Sequence, residues 1–213
     1  MRLVALSDTH ERHGELTLPE ADVLIHAGDF TWTGTPQQIT KFAKWFGEQP
    51  AKWKILVPGN HDRTFETVPD AAERLIRLHC PRVVILDRRA IEIGGLVFYG
   101  EPRTPAYRDW AFMYERADAK RVWDSAPAKV DVLVTHGPPF GMRDMCLDGT
   151  RVGCVEQRRW IETRRPRLVV CGHIHEARGL GQIGTTMVAN VACYDAVRGA
   201  LGPLQGPTVI DLE

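Results

Sequence analysis

The stretch LVVCGHIHEARG, Leu168–Gly179, decides how this chain reads. Its apolar residues look like a buried strand that empties into a glycine. Two histidines then follow two positions apart, His173 and His175. Similar short apolar runs recur along the chain: RLVALS, ADVLIHAG, KILVPG, RVVILD, LVFYG, VDVLVTHG and a closing PTVIDL. Each has strand length and runs into a residue type that punctuates strands. Helical patterns lie between several of them. TPQQITKFAKWFGEQ places Ile39, Phe42, Ala43 and Phe46 at helical spacing, with Thr35 as N-cap and Pro36 in the first helical position. PDAAERLIRLHC predicts a second helix capped by Asp70, with Leu75, Ile76 and Leu78 as its apolar set, and GCVEQRRWIETRR a third ended by Pro166.

Strands that alternate with helices predict an α/β domain. From about Arg82 to Gly100, and again from Gly179 onward, strands follow one another without room for helices. The simplest architecture is a two-sheet β-sandwich flanked by helices, with residues 1–213 as a single domain. Gly100–Arg116, GEPRTPAYRDWAFMYER, is weakly periodic and predicts a long ordered loop.

Composition narrows the class. The chain has 213 residues, 44% of them hydrophobic and 25% charged, as in ordinary globular proteins. Its formal net charge is zero, so no global electrostatic grip on nucleic acid is expected, and no stable nucleic-acid partner. The arginines between Arg158 and Arg167 read as a solvated helix face. No run has the length of a membrane span, and MRLVALSDTH is too short in its apolar part for a signal peptide. Five cysteines without a CxxC pair argue against a cysteine zinc site and predict free thiols in a cytoplasmic setting.

Polar residues of one chemical kind stand at successive strand ends: Asp8 and His10, Asp29, Asn60 and His61, His136, then His173 and His175. Taken singly, most of these are turn formers or caps. Taken together they are not, because turn chemistry does not select His, Asp and Asn at five strand ends. In α/β sheets ligands gather beyond the carboxyl ends of strands. Imidazole, carboxylate and one amide oxygen suit a divalent metal such as Mn, Fe or Zn. The residues are too many for one ion. Two ions roughly 3.5–4 Å apart, sharing a carboxylate, would bind a hydroxide at neutral pH and clamp an in-line displacement at phosphorus. The small positive excess of such a site would attract an anionic phosphate ester.

The blocks SDTH, GDFTWTG, GNHD, THGPP and GHIH resemble those of the calcineurin-like metallophosphoesterases. YGEPRTPAYRDWAF, RVGCVEQRRW and the closing TVIDL extend the likeness to the small metallophosphoesterase-domain branch. The resemblance implies a four-layer α/β/β/α fold and two divalent metal ions, manganese foremost. It implies that Asp8, His10 and His175 hold one ion, that Asn60, His136 and His173 hold the other, and that Asp29 bridges them. His61 would then be the proton donor to the leaving alkoxide, with Asp62 orienting it. The spacing of His173 and His175 would let two alternating residues serve different ions, with Gly172 permitting close backbone approach.

One departure matters. Where the protein-phosphatase branch carries an aspartate and an arginine, this chain has Trp32 and Thr33, which argues against a phosphoserine phosphatase. The branch resemblance implies a phosphodiesterase on small phosphodiesters such as cyclic nucleotides, with a phosphomonoesterase or nuclease as the alternatives. Aromatic walls are sought in Trp32, Phe140, Tyr107 and Trp110, and Arg103 is placed as a contact to the substrate phosphate. A non-catalytic scaffold on this fold would have eroded ligands, whereas every ligand position here is filled.

Overall fold

In the computed structural model, which describes residues 1–199 and 202–213, the apolar runs are strands buried on both sides. In β1 (Arg2–Leu6) Leu3 and Ala5 point one way and Val4 and Leu6 the other, and all four are fully buried. In β10 (Leu168–Cys171) Leu168 and Val170 oppose Val169 and Cys171 in the same manner. Successive strand residues face opposite ways, so a strand covered on both faces must be apolar throughout.

Two sheets result. The first is ordered β13 (Thr208–Asp211), β1, β2 (Ala21–His26), β3 (Ala51–Leu56), β4 (Val84–Ile85). It is parallel apart from β13, which pairs antiparallel with β1. The second is ordered β11 (Gly179–Ile183), β12 (Thr186–Asn190), β10, β9 (Val132–Thr135), β6 (Leu96–Glu101), β5 (Arg89–Ile93). Its central strands are parallel and its two edges are antiparallel hairpins. Leu3, Ile25 and Ile55 of the first sheet meet Phe98, Val134 and Val170 of the second in a shared core.

Helices cover the outer faces. On the first sheet, α1 (Pro36–Glu48), the one-turn α2 (Thr64–Thr67) and α3 (Pro69–His79) bury Ile39, Phe42, Phe46, Phe65 and Ile76 against Val4, Leu24 and Leu56. Each fully buried phenylalanine contributes about 1.5–3 kcal/mol by area. On the second, α4 (Ala119–Asp124) and α5 (Val155–Arg164) bury Trp123, Trp160 and Ile161 against Leu133, Val169 and Val188. The order of layers is therefore helix, sheet, sheet, helix, as expected. Thr35 caps α1 in a full capping box with Gln38, and Pro36 opens the helix. The arginines of α5 pair along its exposed face, Arg158 with Glu162 and Arg159 with Glu156.

Several local expectations are corrected. Asp70 does not cap α3: Pro69 takes the first helical position, so the cap falls on Val68 and Asp70 lies in the first turn. Leu78 is 73% exposed, because the buried stripe runs through Ala72 and Ile76. RVVILD gives only the two-residue β4, and the long loop after β6 contains a small parallel pair, β7 (Thr104–Pro105) with β8 (Met113–Tyr114). Trp45 and Trp53 are partly buried against the first helix–sheet core and the inter-sheet core respectively.

Candidate active site

The carboxyl ends of β1, β2 and β3 in one sheet, and of β9 and β10 in the other, open at the same end of the sandwich. Backbone bonds stitch the two sheets together there. Ser7 N donates to Val191 O (3.2 Å) and Cys193 N to Ser7 O (2.8 Å), while within the second sheet Gly172 N donates to His136 O (2.9 Å) and ties the ends of β10 and β9. The chain turns sharply after each strand. Asp8, His10, Asp29 and His173 all have left-handed backbones, with φ of 53, 42, 55 and 66°. Such conformations are costly for non-glycine residues and concentrate at functional sites. Gly172 is indispensable for space. A Cβ there would run into Ser7 Oγ and the Asp8 carboxylate.

The turns bring eight side chains together. Asp8 Oδ1 lies 3.2 Å from His175 Nε2, and His10 Nε2 lies 3.4 Å from the same nitrogen. Asp29 Oδ2 lies 3.3 Å from His136 Nε2 and 4.0 Å from both His10 Nε2 and His61 Nε2. Asn60 Oδ1 is 2.8 Å from His136 Nε2, and the rings of His136 and His173 sit 4.9 Å apart. Three groups present ligand atoms within 4.8 Å of one another: Asp8, His10 and His175; His10, Asp29 and His61; Asp29, His136 and His173. Two imidazole nitrogens facing each other across 3.4 Å, beside two buried carboxylates, form a donor set that fits a divalent cation.

The electrostatics agree with that fit. Burial works to raise the Asp8 carboxyl, yet His175 and His136 outweigh it and hold it well below the usual range. Asp29 is held low in the same way by His136, His10 and His61. Burial opposes protonation of His136, but the Asp29 charge prevails and raises it to about 9. Burial pushes His10 down to about 4 and His173 down to about 3, so both offer lone pairs at neutral pH. An ion entering beside Asp29 would displace the His136 proton.

His61 is oriented by the backbone, since its Nδ1 lies 2.8 Å from Trp32 O. The expected link from Asp62 to His61 is absent among the described contacts. Asp62 instead accepts from Gly59 N, Asp29 N, Thr31 N and Thr31 Oγ1 at 2.7–3.1 Å, fastening the β2 and β3 turns together. Burial first, and the Asp29 charge second, raise its carboxyl to about 7. Arg103 is found in a structural pair. Its Nε and Nη2 each donate to the buried Glu101 carboxylate at 2.8 Å, an ion pair that engages the fork meant for phosphate. Phe140 is 39% exposed and makes no ring contact with the cluster among the described residues. Trp32 does, stacking on His10 at 4.2 Å, and Trp110 packs on His61 at 4.1 Å.

Sequence reasoning missed two contributors. Tyr194 stands edge-on to His10 at 5.5 Å and tilted to His175 at 5.1 Å. Asn190 Nδ2 donates to Ile174 O (2.8 Å) and Gly172 O (3.4 Å), beneath the two histidines of the opening stretch. The signal for Asn190 was present: it is one more polar residue at a strand end.

Known proteins share this arrangement of sequence. The family model described as calcineurin-like phosphoesterase matches residues 1–177. Human metallophosphoesterase domain-containing protein 1 is 36% identical over 99% of this chain and 71% of its own length. The UPF0046 protein C25E10.12 of Caenorhabditis elegans is 35% identical, covering 96% of this chain and 79% of that one. Among solved structures, TT1561 of Thermus thermophilus superposes with a TM-score of 0.61 at 17% identity, covering 89% of this chain and 88% of that one. A phosphopantetheinyl hydrolase from Mycobacterium tuberculosis does so with a TM-score of 0.57 at 17% identity and the same coverage. These two likenesses concern the fold.

Proposed function

We propose that this chain, which belongs to the calcineurin-like phosphoesterase family, is a phosphodiesterase acting on small phosphodiesters such as cyclic nucleotides. Membership makes it a metal-dependent phosphoester hydrolase. The observation that carries the finer reading is the pair of ligand groups that meet at Asp29. In this reading Asp8, His10 and His175 hold one divalent ion, and Asn60, His136 and His173 the other. Asp29 lies between them with its Oδ2 turned to His136, His10 and His61. Manganese is the first choice, with iron or zinc compatible with the same donors. When bound, the ions act as Lewis acids toward the phosphoryl group and lower the pKa of water.

The chain's own residues do the rest. The Trp32 carbonyl accepts from His61 Nδ1, which turns Nε2 toward the cluster, where it gives a proton to the departing oxygen. Trp32 and Tyr194, whose rings lie 5.9 Å apart, offer an aromatic rim. Diesters are favoured over monoesters because a monoester dianion calls for a further cation, and Arg103 is already engaged by Glu101. A nuclease is disfavoured by the zero net charge.

The reading treats residues 1–213 as one domain, since β12 and β13, beyond the matched 1–177, pair with β10 and β1. Five free cysteines suit a cytoplasmic setting. Among the described residues no helix is long and apolar enough to cross a membrane.

The test is a metal add-back assay. Chelator-stripped protein receives Mn and is offered bis-p-nitrophenyl phosphate, p-nitrophenyl phosphate and a cyclic nucleotide. Restored activity that favours the diesters is expected. A preference for the monoester, or tight metal binding without turnover of any of the three, overturns the proposal.

A further inference from the structure

A cleft of about 570 Å³ reaches the ligand cluster at His173, one of its lining residues. Its walls come from three places: Tyr107 after β7, the loop from Cys146 to Thr150, and Glu176 directly after His175. The volume is that of a small-molecule site. Tyr107 is 58% exposed, and the Arg108 guanidinium lies over one face of its ring, 5.0 Å from the centroid.

The charges of the cleft are uneven. Asp148 and Glu176 supply two carboxylates. The basic residue among the lining groups, Arg116, is turned to the backbone, with Nη1 donating to Gly153 O (3.1 Å) and Nη2 to Val152 O (2.8 Å). The Cys146 thiol reports the local field: burial pushes it up, and Glu176, Asp148 and Asp144 push it further. Bonds to carbonyls leave Arg116 its charge, so the lining sets two carboxylates against one guanidinium and is acidic by the difference, beside the candidate cation site.

We propose that this cleft receives an organic substituent of the phosphodiester, and that Asp148 and Glu176 select substituents bearing no second anionic group. Neutral or cationic substituents rich in O–H and N–H donors are accepted: a nucleoside without a further phosphate, or an amino alcohol. The inference rests on the phosphodiesterase reading and names the substrate class within it. The physics is repulsion used as a filter. A second phosphate placed among two carboxylates in a half-enclosed cleft is repelled, whereas a hydroxyl or ammonium gains charge-assisted hydrogen bonds.

Two chromogenic diesters differing by one phosphate test this. They are thymidine 5′-(p-nitrophenyl phosphate) and the same compound carrying a 3′-phosphate. In both, water adds to phosphorus as the bond to the nitrophenyl oxygen breaks, so nitrophenolate reports turnover. With the Mn-loaded full chain, the 3′-phosphate is expected to raise KM at least tenfold. Asp148→Asn and Glu176→Gln should each narrow that ratio about three- to tenfold, mainly through KM. Asp148→Asn keeps the acceptor that Thr150 N uses (2.9 Å), so its turn is retained. Raising salt to 0.5 M should narrow the wild-type ratio without any substitution, because screening acts on the same repulsion. Equal KM values for the two compounds, or a ratio indifferent to salt and to both variants, overturns the cleft assignment while leaving the diesterase intact. No hydrolysis of either compound or of bis-p-nitrophenyl phosphate overturns the diesterase reading, and the cleft's role falls with it.

Discussion

Replacing His61 by alanine separates two roles that its position permits. Its Nε2 shares a ligand-competent group with His10 and Asp29, so an imidazole there is able to hold a metal. Its other nitrogen is 2.8 Å from Trp32 O, and its side chain is 16% exposed, as a group that meets substrate must be. The distances set the expectation. His61 Nε2 stands 4.0 Å from Asp29 Oδ2, whereas His136 Nε2 stands 3.3 Å from that oxygen and 2.8 Å from Asn60 Oδ1. His136 is therefore inside the donor set; His10, also 4.0 Å from Asp29 Oδ2, is fully buried with His175 Nε2 at 3.4 Å, which leaves the partly exposed His61 at the edge. A positioned general acid contributes about 10²–10⁴-fold. His61→Ala should lose that factor on a cyclic nucleotide, whose alkoxide leaves badly. It should lose less than roughly tenfold on bis-p-nitrophenyl phosphate, whose nitrophenolate departs without much help. Metal content, counted by elemental analysis after dialysis, should stay at two ions. His136→Ala should instead drop to one ion and lose nearly all turnover on both substrates. Loss of an ion from His61→Ala, or equal rate losses on the two leaving groups, would refute the assignment of roles.

Other perturbations report on the scaffold of the site. Gly172→Ala drives a methyl into Ser7 Oγ and Asp8 Oδ2; overpacking of about 1–3 kcal/mol should lower Tm by several degrees. Titration should also show one ion bound at least tenfold more weakly; an unchanged Tm and affinity would mean the turn has slack. Asp62→Asn turns an amide N–H₂ toward donors that a carboxylate accepted, at a cost of about 1–3 kcal/mol in urea unfolding; a shift under 0.5 kcal/mol would show that the fastening is dispensable. His26 is fully buried and its imidazole is pushed down to about 3 by burial. The unfolded chain takes up that proton near pH 6.5, so between 6.5 and 3 the unfolded state binds more protons and stability falls as pH falls. Chelator-stripped His26→Gln should show a urea-stability slope below pH 6.5 smaller by up to about 1.4 kcal/mol per pH unit than the wild-type chain; parallel slopes would count against it.

The candidate ligand residues were legible because strand ends are legible. An apolar run buried on both faces seldom continues far into Asp, Asn or His, so the step in polarity that ends β1, β2, β3, β9 and β10 also marks the residues just beyond them. Thr35 was legible as a cap because the capping box is local, closing within three residues. Asp62 was not, because the groups it binds at Asp29 and Thr31 lie 33 and 31 residues earlier and meet it only through the pairing of β2 with β3. Arg103 is a subtler case. Glu101 and Arg103 are two residues apart at the end of an extended strand, so their side chains share a side. A carboxylate at a strand end that becomes buried demands a cation, and the nearest one is taken for structure before any is left for substrate.

The histidines of LVVCGHIHEARG depend on chain that follows them. His173 stands in a left-handed conformation, and His175 opens a single helical turn, so neither is held by regular secondary structure on its own. The Asp8 carboxylate accepts from His173 N at 3.0–3.1 Å, and further support comes from the end of β12 and beyond. Asn190 bonds the carbonyls of Gly172 and Ile174, the two residues that flank His173. Arg178 reaches from the next turn to Val191 O (3.0 Å), Ala192 O (2.6 Å) and Gly206 O, tying that turn to the tail. The match to the family ends at residue 177, yet the groups that hold its last two histidines in place lie past that point. A ligand set is only as well aimed as the residues that hold it, and strained backbone persists only where its surroundings over-determine it. The strand-and-turn tail is therefore part of what holds the candidate metal centre in place.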